Sequence, residues 1–136
     1  MKTKPNKGNI LIVDDTPANL KVLTSMLTAQ GYQVRPAING QLALKAIQEA
    51  APDLILLDIV MPEIDGYEVC QRLKADEQTR DIPVIFISAR GETEDKVKAF
   101  AVGGVDYITK PFQGEEVLAR INAHLTIRNL QKSLQE

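Results

Sequence analysis

Five short apolar segments recur along the chain, and a segment with helical spacing follows each of them. The apolar segments are NILIV (9–13), YQVRPA (32–37), DLILL (53–57), IPVIFI (82–87) and VDYIT (105–109). This alternation is typical of a mostly parallel sheet that helices cover on both faces. A chain of 136 residues has room for one such domain and for no second hydrophobic core. The sequence therefore predicts a single α/β domain.

The second apolar segment differs from the others. Three segments are continuously apolar, which is typical of strands buried on both faces of a sheet. The second alternates between apolar and polar residues and contains Pro36. Proline cannot donate a backbone hydrogen bond and is tolerated mainly at a sheet edge. We therefore predict that the second strand lies at an edge.

The helical segments have recognisable ends and apolar faces. Thr16 and Pro17 predict the N-cap and first residue of the first helix. Asp65 and Gly66 precede the third helix, and the pair at 103–104 predicts the end of the fourth. The residues predicted to face inward are Leu20, Leu23, Leu27, Leu44, Ile47, Val69, Cys70, Leu73, Val97, Phe100, Ala101, Val117, Leu118, Ile121 and Leu125.

The last predicted helix continues beyond the domain. Ile127, Leu130 and Leu134 follow Ala123 at steps of three and four residues, which makes a short heptad-like stripe. The stripe is too short to predict a coiled coil, so a frayed amphipathic end and a signalling linker both remain open. We divide the chain into a flexible tail at 1–8, a domain at 9–125 and a C-terminal helical extension at 126–136.

Charge and cysteine content argue against several classes of function. Sixteen basic and eighteen acidic residues give a formal net charge of -2, which favours neither nucleic acid nor an anionic membrane as a direct partner. No apolar stretch is long enough to span a membrane, and the first residues lack the apolar core of a signal peptide. The single cysteine, Cys70, excludes an internal disulfide. We expect a cytoplasmic protein in which Cys70 serves packing.

Polar residues follow four of the five predicted strands. Asp14 and Asp15 follow the first strand, Asp58 the third, Ser88 the fourth and Lys110 the fifth. In open parallel sheets, the functional crevice lies outside the carboxyl ends of the strands. We therefore expect these carboxylate, hydroxyl and ammonium groups to converge on one edge.

Three converging carboxylates need a cation, because each one raises the pKa of the others. Mg²⁺ is favoured, since it binds one or two carboxylates directly and leaves positions for water and phosphate oxygens. Zn²⁺ is not favoured, because no histidine or cysteine accompanies the set and His124 is predicted to lie on the surface. An aspartate beside a metal and a lysine can attack phosphorus and form an acyl phosphate. Asp58 is central among the strand ends, so we predict that it is the nucleophile.

These motifs resemble the receiver domain of two-component response regulators, including its chemotaxis members. The sequences ILIVDD, LILLDIVMPEIDG, VIFISA and DYITKPF occur in this order at successive strand ends, and the resemblance covers about residues 8–125. It implies a flavodoxin-like (βα)5 fold, doubly wound, with a five-stranded parallel sheet in the order 2-1-3-4-5. The last helix of this fold would extend into the C-terminal segment.

The resemblance also implies a role for each site residue. Asp58 would accept a phosphoryl group from a phosphohistidine on a sensor histidine kinase or a phosphotransfer protein. Asp14 and Asp15 would bind Mg²⁺ together with the Asp58 side chain and the backbone carbonyl of Val60. Lys110 would contact the phosphoryl group. The phosphorylated domain would then act on a downstream output domain or protein, and a homodimer could form through the fourth helix, fifth strand and fifth helix, or through the C-terminal helix.

Ser88 and Tyr107 match the pair of residues that changes conformation on phosphorylation in this family. The peptide bond before Pro111 is expected to be cis. We expect the hydroxyl of Ser88 to move toward the phosphoryl oxygens and Tyr107 to rotate inward behind it, which would change the surface at the fourth and fifth helices. Val60 and Arg90 lie where side chains could screen the phosphoryl group from water. We therefore expect slow self-dephosphorylation and no other enzymatic activity.

Alternative readings stay open at this point. A haloacid-dehalogenase-like phosphatase would need a second aspartate two residues after Asp58, where the chain has Val60. A flavin-binding electron carrier would need a phosphate-binding loop after the first strand, where DDTPAN places two negative charges. A degenerate receiver that acts only as a binding scaffold would not need the complete acidic set. Tyr107 could also be a plain strand aromatic, and Ser88 could only cap a turn.

Overall fold

A computed structural model describes residues 7–135, and the side chains of residues 7–134. The strands are β1 (Asn9–Val13), β2 (Gln33–Ala37), β3 (Leu54–Leu57), β4 (Val84–Ser88) and β5 (Asp106–Thr109). The helices are α1 (Pro17–Ala29), α2 (Gly40–Glu49), α3 (Gly66–Ala75), α4 (Thr93–Ala101) and α5 (Gly114–Gln135). The strands form one parallel sheet in the order β2-β1-β3-β4-β5, which confirms the predicted fold.

The sheet is buried on both faces. Alternate residues of a strand point to opposite faces, so β3 contributes Leu54 and Leu56 to one hydrophobic cluster and Ile55 and Leu57 to another. The first cluster includes apolar residues of α1 and α5, and the second includes those of α2 and α3. The strand β2 lies at the edge, where Pro36 pairs with Ile12 in the parallel register, as predicted.

Most of the predicted inward faces are confirmed, including those of α1 and α3 and the residues Ile47, Val117, Ile121 and Leu125. The prediction for α4 is wrong. This helix, which lies wholly within the described part of the chain, buries only Ala99. Val97 and Phe100 are 62% and 51% exposed. At Gly104, just beyond α4, an added Cβ would lie 2.7 Å from the Phe86 ring. The chain approaches the sheet closely there, which favours small inward residues over large ones.

The structure shows how the two ends of the domain are arranged. The predicted tail at 1–8 lies largely outside the described residues, but the Lys7 amide donates to the Gly31 carbonyl and the Gly8 carbonyl accepts from Gln33. At the other end, α5 continues as one helix to Gln135, and Leu130 and Leu134 are exposed on it. No helix in the described part of the chain is long and apolar enough to cross a membrane.

Candidate functional site

The predicted acidic residues lie together at the carboxyl edge of the sheet. One carboxylate oxygen from each of Asp14, Asp15 and Asp58 lies within 4.8 Å of the other two. They meet because β1 and β3 are neighbours and run in the same direction. Three carboxylate oxygens in one place form a hard donor set, which is the kind of site that Mg²⁺ prefers. The residues present therefore fit the predicted metal.

The carboxylate of Asp14 is buried and fixed by neighbours from two directions. Its Oδ1 accepts a hydrogen bond from the Thr16 backbone amide at 2.9 Å. Its Oδ2 lies 2.8 Å from Lys110 Nζ and accepts a longer contact of 3.4 Å from the amide of Asn19. Asn19 was not predicted as a site residue, although its place in the first turns of α1, after DDTPAN, is a usable signal. Asp15 is exposed, so it presents its carboxylate from the solvent side.

The second buried carboxylate, Asp58, also faces Lys110. Its Oδ1 accepts a hydrogen bond from the Ile59 amide at 2.8 Å, and its Oδ2 lies 3.5 Å from Lys110 Nζ. Burial raises the pKa of Asp58 to about 6, with Asp14 adding to the increase and Lys110 opposing it. The pKa of Lys110 is itself raised, because the bonds and charges of Asp14 and Asp58 outweigh its burial. One ammonium group thus balances two buried carboxylates only in part.

The loop after Asp58 depends on a close backbone approach at Gly66. A Cβ atom on Gly66 would lie 2.2 Å from the Asp58 carbonyl oxygen and 2.9 Å from the Ile59 Cα. The Gly66 amide donates to the Ile59 carbonyl at 2.8 Å, and the Asp65 side chain caps α3 by accepting from the Glu68 amide. The sequence predicted only that Gly66 lies at the start of the third helix. In the structure it packs the start of α3 directly against the backbone of Asp58.

The predicted switch residues meet at the segment after β4. Ser88 is buried, and its Oγ accepts a hydrogen bond from the Arg90 amide at 3.2 Å. The hydroxyl of Tyr107 donates to the Arg90 carbonyl oxygen. Tyr107 is only 7% exposed, so its ring lies inward in this structure, and its movement on phosphorylation stays a prediction. The ring is already buried because the core of the sheet receives it and the Arg90 carbonyl satisfies its hydroxyl.

Two further predictions concern the neighbourhood of the site. The Lys110–Pro111 peptide bond is cis, as the resemblance implied. The guanidinium of Arg90 lies 3.8 Å from the Asp95 carboxylate, and its screening of the phosphoryl group stays a prediction. Beside Lys110, a groove lined by Asn19, Ala89, Lys110, Pro111 and Phe112 opens to the surface.

The surface position predicted for His124 is wrong. Its Nε2 lies 3.0 Å from the Asp106 Oδ2, and the side chain is half-buried. Arg120 binds the other oxygen of Asp106 at 2.7 Å. Burial raises the pKa of Asp106, but the hydrogen bonds from Arg120, Tyr107 and His124 outweigh it and hold the pKa below its usual value. This cluster joins α5 to the start of β5, away from the acidic set.

Known proteins have similar sequences and the same fold. A family model described as the response regulator receiver domain matches residues 10–122. The chain is 46% identical over 116 residues to the DNA-binding dual master transcriptional regulator RpaA of Synechocystis sp., covering 85% of this chain and 48% of RpaA. It is 41% identical over 116 residues to the response regulator PleD of Caulobacter vibrioides, covering 85% of this chain and 26% of PleD.

A solved structure shows the same architecture. The CheY-like receiver domain protein of Methanospirillum hungatei superposes with a TM-score of 0.85 at 27% identity, covering 90% of this chain and 97% of that one. The chain spans about half the length of RpaA and about a quarter of PleD, so those proteins contain further sequence. Fold, sequence and strand-end residues agree, and the chain belongs to the response regulator receiver domain family of two-component systems.

Proposed function

We propose that Asp58 accepts a phosphoryl group from a phosphohistidine on a sensor histidine kinase or a phosphotransfer protein. A carboxylate oxygen of Asp58 would attack phosphorus, the phosphorus–nitrogen bond would break, and its electron pair would return to the imidazole. The products are an acyl phosphate on Asp58 and a free histidine on the donor. The observation that carries this proposal is the buried Asp58 carboxylate beside both Lys110 and the other acidic side chains.

The acidic set supports Mg²⁺ as the cofactor. Asp14, Asp15 and Asp58 would hold the ion, and the Val60 carbonyl would complete the protein ligands. When bound, Mg²⁺ supplies positive charge that offsets the charge on the transferring phosphoryl oxygens. The Thr16 amide already fixes the carboxylate of Asp14, so little ordering of that ligand is needed.

Lys110 and Ser88 would contact the transferred group. The ammonium of Lys110 lies between the Asp14 and Asp58 carboxylates, so it would reach an oxygen of a phosphoryl group on Asp58 after a small movement. The Ser88 oxygen accepts from the Arg90 amide, and the Ser88 hydroxyl would rotate to donate its proton to a phosphoryl oxygen. We propose that the chemistry of the domain is limited to this transfer and to slow loss of the group.

The phosphorylated domain is proposed to pass on its signal through contact with another protein. Four exposed apolar side chains, which we call the α4–β5–α5 face, support this: Val97, Phe100, Val105 and Ile127. Several exposed large apolar residues on neighbouring elements are typical of interaction sites. The partner would be a downstream output domain or protein, or a second copy of this chain. RpaA is named as a DNA-binding protein, but this chain matches only about half of it, so we propose no direct contact between this domain and nucleic acid and no membrane contact.

Intact-mass spectrometry after incubation with acetyl phosphate and Mg²⁺ tests the chemistry directly. The wild-type protein should gain the mass of one phosphoryl group, and Asp58→Asn should gain none. Asp81→Asn serves as the matched control, because Asp81 is exposed and lies before β4 at the opposite edge of the sheet. Equal modification of the wild type and Asp58→Asn would place the acceptor elsewhere. We propose that this chemistry takes place in the cytoplasm.

A further inference from the structure

The helix α4 is held to the domain mainly by polar contacts at its first turn. It is nine residues long and buries only Ala99, whereas α3 buries five residues. Little buried apolar area means that the position of α4 depends on individual side-chain contacts more than on core packing. The contacts made by the chain from Ser88 through the first turn of α4 therefore decide where this helix lies.

Tyr67, in the first turn of α3, makes one of these contacts. Its hydroxyl donates to the Asp95 carbonyl oxygen in α4 at 3.1 Å. Its ring is 4% exposed and packs 5.7 Å from the Phe86 ring, so the side chain has a fixed base in the sheet. The ammonium of Lys98 lies 4.5 Å above the same ring and adds a cation–π contact from the next turn of α4.

A second tyrosine holds the other end of the same segment. The Tyr107 hydroxyl donates to the Arg90 carbonyl, and the Arg90 amide donates to Ser88 Oγ. The guanidinium of Arg90 lies 3.8 Å from the carboxylate of Asp95, whose carbonyl is the acceptor of Tyr67. The contacts therefore form a continuous chain from Ser88 through Arg90 and Asp95 to Tyr67.

We propose that Tyr67 is a positioning residue of the switch, which sets the place of α4 relative to Ser88 and Arg90. A displacement of Ser88 or Arg90 reaches α4 through Asp95, and the hydroxyl of Tyr67 fixes Asp95 against the rigid base formed by α3 and β4. The signalling consequence rests on the proposed phosphorylation of Asp58. The hold of Tyr67 on α4 does not, because it involves only contacts between α3 and α4.

Replacement of Tyr67 by phenylalanine separates this role from simple packing. Tyr67→Phe keeps the ring, its contact with Phe86 and the cation–π contact with Lys98, and removes only the hydroxyl. Tyr32→Phe is the matched control, because Tyr32 is similarly buried but belongs to the cluster on the other face of the sheet. If Tyr67 served only as a buried aromatic ring, loss of its hydroxyl would disturb α4 no more than loss of the Tyr32 hydroxyl.

Amide hydrogen exchange of the unliganded protein is the first measurement. We expect the amides of residues 93–101 to exchange about fivefold faster in Tyr67→Phe, which is the factor that one net hydrogen bond contributes to an opening equilibrium. The exchange rates of the β3 and β4 amides should be unchanged in Tyr67→Phe. In Tyr32→Phe, the amides of residues 93–101 should exchange as fast as in the wild type. Equal protection of α4 in Tyr67→Phe and the wild type would overturn the proposal.

Exchange with Mg²⁺ and beryllium fluoride, a tetrahedral phosphoryl mimic, tests the coupling. In the wild type and Tyr32→Phe, the ligand should alter exchange of residues 93–101, and Tyr67→Phe should reduce that change by about half or more. An undiminished change in Tyr67→Phe would overturn the switch role. If the ligand alters no amide near Asp58 in the wild type, the proposed function fails instead, and the unliganded comparison still decides whether Tyr67 holds α4.

Discussion

Lys110 Nζ lies 2.8 Å from the Asp14 Oδ2, although 96 positions separate the two residues in the sequence. Asp14 follows β1 and has a fully buried side chain, while Lys110 follows β5 and its side chain is 18% exposed. The pair therefore crosses the carboxyl edge of the sheet over β3 and β4. It offsets part of the charge of two buried carboxylates, and it orients the groups that the proposed chemistry requires.

Removal of Lys110 should destabilise the domain. Lys110→Ala leaves the Asp14 carboxylate buried without its cation. Breaking a buried ion pair costs about 3–5 kcal/mol of unfolding free energy, and we expect about 2–3 kcal/mol here because Lys110 is partly exposed. Urea denaturation at pH 7 measures this loss. Lys45→Ala, on the exposed side of α2, is the control and should change stability by less than about 0.5 kcal/mol. Equal stabilities of the two variants would show that the ion pair contributes nothing.

The raised pKa of Asp58 predicts a pH-dependent stability. The folded protein holds the proton of Asp58 up to about pH 6, whereas the unfolded chain releases it near 3.8. The folded state thus binds more protons in that window, so this residue lowers stability as pH rises from about 4 to 6. At pH 7 without metal, Asp58→Asn should be more stable than the wild type by about 2–3 kcal/mol.

Urea titrations in EDTA from pH 4 to 8 check this prediction. The difference between Asp58→Asn and the wild type should vanish near pH 4 and reach its full size above pH 7. Added Mg²⁺ should stabilise the wild type more than Asp58→Asn, because the variant lacks one of the proposed carboxylate ligands. A difference that is constant with pH would contradict the assignment of the raised pKa to Asp58.

A side chain at Gly66 should disturb the site through the backbone. In Gly66→Ala, the new Cβ would lie 2.2 Å from the Asp58 carbonyl oxygen, so the loop or the start of α3 has to move. We expect a loss of about 2–4 kcal/mol in unfolding free energy and weaker Mg²⁺ binding. Gly91→Ala is the control, since its Cβ would meet only the Thr109 side chain at 3.3 Å or more. Unchanged Mg²⁺ affinity in Gly66→Ala would contradict this account.

The phosphorylated domain should lose its phosphoryl group slowly. Val60 is half exposed beside Asp58 and has no polar group that could orient an attacking water. Val60→Gln should speed the loss about tenfold by supplying such a group. Arg90→Ala should have a smaller effect, because the Arg90 guanidinium lies beside Asp95. The measurement is the decay of the phosphorylated mass in Mg²⁺; loss within seconds in the wild type would reject the expectation.

The site was predictable because its residues follow apolar segments. Asp14, Asp58 and Lys110 each stand directly after a buried strand, and parallel strands bring their carboxyl ends to one edge. The strand order came from the resemblance, since alternating strands and helices alone do not fix which strands are neighbours. Once that order is given, Asp14 and Asp58 are expected to lie close together, because they directly follow the adjacent strands β1 and β3.

Other features depend on contacts that have no local signature. The inward face of α4 was missed because its large apolar residues point outward and the close approach to the sheet selects Ala99. The half-buried His124 was missed because its partner, Asp106, belongs to another element. The buried ring of Tyr107 depends on the position of the Arg90 carbonyl, which only the folded loop determines.

The exposed apolar residues Ile127 and Leu130 of α5 predict that the chain can self-associate. Leu130 is 60% exposed on the part of α5 that follows Leu125, and it continues the apolar surface of Ile127 on the α4–β5–α5 face. If two copies pair through this surface, burial of the leucine should contribute about 1.5–3 kcal/mol per chain. Leu130→Ser should therefore lower the dimer fraction of the phosphorylated protein in light scattering over a concentration series. Leu42→Ser, at a comparable exposed leucine on α2, should leave the fraction unchanged. Equal dimer fractions in the two variants would exclude α5 from the contact.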